Sequence, residues 1–149
     1  MKIPIFIFLA GTLLADDIVP YQRTRDRQVD VHHSKIDITV NLKTKSVSGY
    51  VIHTLSPLHS SLSVIDLDAE DMVIGRVRLN GKDIQFTQDD EFVHLNLDKA
   101  LGWLDTVDIH LDYSAIPRKG LFFIAPDDTY PEKHWQAWTQ GEETDNHHW

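Results

Sequence analysis

Nine histidines and 23 Asp and Glu side chains, with no cysteine, are the groups through which this 149-residue chain could do chemistry. Histidines and carboxylates at short helical spacing hold zinc, as in H-E-x-x-H. No histidine here is followed by Glu. His32-His33 and His147-His148 are adjacent pairs. Neighbours on a strand face opposite ways, and on a helix they lie about 100° apart, so neither pair closes easily on one ion. His53 and His110 fall inside alternating runs and are expected on sheet faces. No zinc site is therefore expected within the chain. Without Cys there is no disulfide framework, thiolate metal site or cysteine nucleophile. Nothing resembles the G-x-S-x-G of a serine hydrolase, a P-loop or a dinucleotide-binding glycine pattern. The formal net charge of −9 disfavours nucleic acid and anionic membrane surfaces as partners, because both need a basic footprint.

The elements that must position these groups read as strands. Met1-Lys2 followed by the apolar run Ile3 to Ala15 has the layout of a secretory signal peptide, and at 13 residues that run is too short to span a bilayer as a helix. We expect residues 1–15 to be removed, residues 16–29 to form an extended lead-in, and the protein to be secreted or periplasmic. No transmembrane segment remains after signal removal. From Ser34 the pattern alternates: Ile36, Ile38, Val40 and Leu42 are apolar and the residues between them polar, the period of a half-buried strand. Lys43-Thr44-Lys45 turns the chain, and Val47 to Thr54 returns as a hairpin partner. Further strands are expected at Leu62 to Leu67, Met72 to Leu79, Ile84 to Thr87, Phe92 to Leu97 and Thr106 to Tyr113. Asn80-Gly81 is a strong hairpin signal. Ala100 to Trp103 reads as a turn or one helical loop. Strands at about ten-residue spacing without helical periodicity predict an all-β, antiparallel sandwich. Its expected core contains Ile36, Ile38, Val40, Leu95, Leu97, Val107, Ile109 and Leu111.

After Tyr113 the character changes. Ile116 to Gly120 is a turn and Leu121 to Phe123 a short strand. Trp135, Trp138 and Trp149 lie in the last 15 residues among Gln136, Gln140, Glu142, Glu143, Asp145, His147 and His148. Aromatics mixed with polar groups mark a surface that meets something. The segment Gln136-Ala137-Trp138-Thr139-Gln140-Gly141-Glu142, followed by Asp145-Asn146-His147-His148-Trp149, resembles the end of the N-terminal domain of the aminopeptidase N family. These are gluzincin zinc aminopeptidases that carry T-Q-x-E or T-Q-x-Q shortly before F-P-C-x-D-x-P. Asp30 to Ile38 is similar to the family's opening D-x-x-H-Y-x-L-x-L strand. Leu67-Asp68-Ala69 with Val77-Arg78-Leu79-Asn80-Gly81 resembles its L-D-A…V-x-V-N-G run, and Lys119 to Phe123 its G-L/F-Y element. The ordered set covers residues 30–149. Ser34 stands where the family often has Tyr, and His147 where Arg is common, which bears on the packing beside the site.

The resemblance implies a saddle-like N-terminal β domain at residues 30–149, incomplete at its end, whose catalytic domain lies beyond the family's F-P run. It implies that Glu142 pairs with the α-ammonium of a peptide substrate and that Gln140 contacts the first substrate residue. Zinc is implied as the cofactor, bound by H-E-x-x-H and a later Glu in the downstream catalytic domain. The catalytic residues thus lie outside this chain, which alone is expected to be inactive. Its partners would be peptide substrates and its own catalytic domain. A different class also fits the residues: a non-enzymatic exported β-sandwich, a carbohydrate or protein adhesion module with an aromatic platform of Trp135, Trp138 and Trp149.

Overall fold

In the computed structural model, residues 26–142 and 144–149 are described. The signal-peptide expectation at 1–15 lies outside them. Ten strands follow in chain order: β1 (Val29–Asn41), β2 (Ser46–Pro57), β3 (Leu62–Asp68), β4 (Met72–Leu79), β5 (Lys82–Asp83), β6 (Gln85–Gln88), β7 (Phe92–Leu101), β8 (Val107–Ala115), β9 (Leu121–Ile124) and β10 (Gln136–Thr139). A 3-10 turn at Asp145–His148 ends the order. The strands form a five-stranded sheet in the order β1-β2-β8-β4-β5, a three-stranded sheet β3-β7-β6, and the two-stranded ribbon β10-β9. Every pairing is antiparallel. The all-β, antiparallel expectation therefore holds. No helix among the described residues is long and apolar enough to cross a membrane.

Local chemistry accounts for the turns. Asn41 Oδ1 accepts from the backbone N–H groups of Lys43 and Thr44, and Lys45 takes a positive φ of 52° to close the β1–β2 hairpin. Asn80 and Gly81 both have positive φ, 48° and 81°, as a two-residue hairpin matched to strand twist requires. The strand expected at Ile84 to Thr87 is β6, and the unexpected two-residue strand β5 precedes it on the other sheet. β5 closes the five-stranded sheet, Ile84 carries the chain across, and β6 opens on the three-stranded one. The helical loop considered at Ala100 to Trp103 is absent, because β7 runs on to Leu101.

The two larger sheets share one apolar cluster. Val47, Leu55, Val77 and Ile109 enter it from one sheet and Ile65, Val93 and Leu95 from the other, each no more than 1% exposed. Val107, Ile109, Leu111 and Leu95 are buried as expected, while Ile38 and Leu97 pack only partly against the cluster. Ile36 and Val40 depart from expectation, at 54% and 39% exposed. They sit on β1, the outer strand of the larger sheet. Their side chains point to the core side, but no facing strand covers them.

Candidate functional site

The expected substrate-binding residues lie where the β9–β10 ribbon hands the chain to the C-terminal turn. The ribbon pairs Trp138 with Phe122, and the two rings stack at 4.7 Å between centroids. Gly120 precedes it with φ 74°, a conformation that costs an L side chain. The Gly120 carbonyl accepts from Thr139 Oγ1 at 2.7 Å and from the Gln140 backbone N–H at 3.0 Å. That clamp fixes where Gln140 begins. Gln140 Nε2 donates to Glu142 Oε2 at 3.0 Å, so the two side chains stand together, and both are exposed.

The far end of this segment is held by backbone hydrogen bonds and by two histidine–carboxylate contacts. Thr144 accepts from the His147 N–H and Glu142 from the Asp145 N–H, each through its backbone carbonyl at 3.0 Å. The two histidines face different ways, as adjacent residues must. His147 Nε2 lies 3.2 Å from Asp68 Oδ2. His148 is 4% exposed, with Nδ1 2.8 Å from Asp71 Oδ2. Arg118 donates from Nε to Asp71 and from Nη2 to Glu70, at 2.7 and 3.0 Å. The Asp71 carboxyl is held below its usual range, chiefly by the Arg118 hydrogen bond and then by His148. The guanidinium is raised in turn by Asp71.

Glu70, Asp71 and His148 are, among the described residues, a trio whose ligand atoms lie within 4.8 Å of one another. They do not fit zinc. The guanidinium of Arg118 already bonds both carboxylates, and Asp71 Oδ2 is shared between Arg118 Nε and His148 Nδ1. The cluster is a latch: Arg118 pairs with both carboxylates, and the His148–Asp71 hydrogen bond fastens the C-terminal turn to the β3–β4 loop.

An apolar cavity of roughly 330 Å³ opens beside that turn, walled by Val51, Ile74, Leu111 and Trp149, with His53 and Asn146 as polar points. Ser34 Oγ lies 2.8 Å from His53 Nδ1, and burial pushes the His53 imidazole below its ordinary value. Gln140 and Glu142 do not line this cavity. Trp149 packs against the core cluster, whereas Trp135 and Trp138 are 45% and 46% exposed. The three tryptophans are therefore not equally open: Trp135 and Trp138 face solvent and Trp149 does not. The roles of Asp71, Arg118 and Asn146 were not foreseen. Asp71 and His148 stand 77 residues apart, and no spacing rule joins them.

No protein-family model matches the chain, and no curated protein matches it significantly. Solved structures do. A two-domain M1 zinc metallopeptidase bound to L-arginine is 26% identical, over 63% of this chain and 22% of that one, at a TM-score of 0.59. An M1 zinc metallopeptidase from Deinococcus radiodurans is 26% identical over the same shares, at a TM-score of 0.58. Yeast leukotriene A4 hydrolase in complex with bestatin is 16% identical, over 81% of this chain and 20% of that one, at a TM-score of 0.67. That last likeness concerns fold alone. The chain spans about a fifth of the length of the structures it matches. In fold the chain is similar to part of these M1 zinc metallopeptidases, a likeness that supports an M1 aminopeptidase N-terminal domain.

Proposed function

We propose that this chain is the N-terminal part of an exported zinc-dependent aminopeptidase, and that Glu142 and Gln140 recognise the free N-terminus of its peptide substrates. The observation that supports it best is the 26% identity to M1 zinc metallopeptidases over 63% of the chain, together with an exposed, mutually bonded Gln140–Glu142 pair. An aminopeptidase must distinguish a terminal ammonium from an internal amide. A carboxylate at the end of the cleft does this through charge-assisted hydrogen bonds. Glu142 is held on both sides of its peptide segment, by the Gly120 clamp and by the latched turn. A carboxylate so placed can meet a substrate with little reorganisation. In this reading zinc, bound by an H-E-x-x-H catalytic domain outside these 149 residues, would supply carbonyl polarisation and water activation. The residues of this domain hold the amine end and the first side chain.

The test is to read the gene past codon 149, then express the whole protein and assay aminoacyl anilides beside their N-acetylated forms. An in-frame H-E-x-x-H and cleavage of the free-amine substrates alone are expected. An immediate stop codon, or equal cleavage of both substrate sets, overturns the reading. Export is tested by the intact mass of the protein from the secreted or periplasmic fraction. A mature form that still begins at Met1 overturns removal of residues 1–15.

A further inference from the structure

Among the described residues, β1 is bonded to β2 on one side and to nothing on the other. It is 13 residues long, and a long open edge is a template for another strand. Proteins blunt such edges with Pro, bulges or inward-pointing charge. From Ser34 to Asn41 there is no Pro, and the register with β2 shifts only earlier, between Val31 and His33. The charges Lys35 and Asp37 both lie on the polar face. Their β2 neighbours are Ile52 and Tyr50, which alternate with the core residue Leu55. Asp37 Oδ2 accepts from Tyr50 Oη at 3.0 Å, and Lys35 Nζ lies 5.8 Å from the Tyr50 ring centre. The opposite face of the same stretch carries Ile36 and Val40, exposed and uncovered.

We propose that this edge is a self-association surface, on which two copies of the chain pair antiparallel through β1 with Ile36 at the two-fold axis. The partner is fixed by complementarity within the strand itself. A two-fold pairing centred on a residue keeps both apolar faces on one side of the joined sheet. Centred on Lys35 it sets Lys35 against Lys35, and centred on Asp37 it sets Asp37 against Asp37. Like charges directly opposite are unfavourable. Centred on Ile38, it leaves both charges opposite neutral residues. Centred on Ile36, it sets each Lys35 against the other copy's Asp37, gives two ion pairs on the polar face, and brings the two Ile36 side chains together on the apolar face. Lys35, which would guard the edge against most strands, becomes a partner for a reversed copy of its own. The inference does not depend on the peptidase reading.

The experiment is sedimentation equilibrium of the chain and three variants, with circular dichroism to show that each is folded. Wild type is expected to form a dimer. Lys35→Asp and Asp37→Lys each replace two attractive pairs by two repulsive ones, and should loosen the dimer by at least about tenfold in Kd. The double variant Lys35→Asp with Asp37→Lys restores both pairs and should restore the dimer. A monomeric wild type, an assembly that grows beyond two, single variants that dimerise like wild type, or a double variant that stays monomeric would each overturn the proposal.

Discussion

His94 stands between two carboxylates, with Nδ1 2.7 Å from Asp66 Oδ1 and Nε2 3.1 Å from Asp89 Oδ2. Both ring nitrogens can donate only in the imidazolium form, so the site raises the His94 pKa, first through Asp66 and then through Asp89. The unfolded imidazole titrates near 6.5. The stabilisation is therefore complete below about pH 6.5 and is lost as pH rises through the higher folded value. Asp89 runs the other way. The backbone N–H groups of Glu91 and Phe92, and then His94, hold it at about 2. Its contribution is present above about pH 3.9 and fades as pH falls towards the folded value. We expect His94→Gln to lower Tm more at about pH 5.5 than at about pH 8.5. Thermal melts at the two values check this, and an equal loss at both would show that the carboxylates do not hold the imidazolium. Glu142 gives the second prediction at this scale, made for the complete enzyme. Losing one partner of a desolvated charge pair costs about 2–5 kcal/mol. The substrate's other contacts would remain, so Glu142→Ala should sit at the low end, roughly 2–3 kcal/mol on kcat/KM, or about 30- to 150-fold. Gln140→Ala should cost about 0.5–1.5 kcal/mol, as an uncharged hydrogen bond does, and vary with the first side chain. Aminoacyl anilide kinetics with zinc content controlled will decide, and unchanged kinetics would leave Glu142 a solvated turn residue.

The elements around the site were legible to different depths. β4 and its Asn80-Gly81 turn could be read directly, since alternation and left-handed turn residues are local signals. β9 was legible as the short strand Leu121 to Phe123, but β10, its pairing with β9 and the C-terminal turn were not, because their positions depend on contacts distant in sequence. Gln140 and Glu142 emerged from family resemblance, not from any period or spacing. Gly120 shows what holds them. A Cβ there would overlap the Asp145 carbonyl oxygen and crowd Trp149 Nε1, on a backbone already at φ 74°. Gly120→Ala should cost at least about 1–2 kcal/mol from the backbone alone and lift the C-terminal turn off its latch. Trp103, Trp135 and Trp138 are already 68%, 45% and 46% exposed. A red shift in tryptophan emission would therefore report release of the half-buried Trp149. Wild-type emission and Tm in the variant would mean that the turn accommodates a side chain and that the clamp does not position Gln140.

At the scale of the whole molecule, period two identifies which residues share a face, but not whether another layer covers that face. Ile36 and Ile109 have the same chemistry, sit in equally regular alternation, and point to the same side of one sheet. Ile109 is on β8, inside the sheet, and is fully buried under the three-stranded layer. Ile36 is on the outer strand and is half exposed beside the open cavity. That difference is a property of strand order, which no local pattern encodes. It should appear directly in stability. Ile109→Ala removes packed methylenes and leaves a void that the surrounding strands cannot close, and should cost about 2–5 kcal/mol. Ile36→Ala loses only part of a side chain's burial, at about 25 cal/mol per Å², and should cost under about 1 kcal/mol. Urea unfolding of both variants, at a concentration where the chain is monomeric, measures the two on one scale. Because a single substitution leaves the exposed surface almost unchanged, m should match wild type and the whole effect should fall on the midpoint. Comparable losses would mean that the five-stranded sheet is covered at β1 as well as at β8, and that the apolar face assigned to self-association is not open in solution.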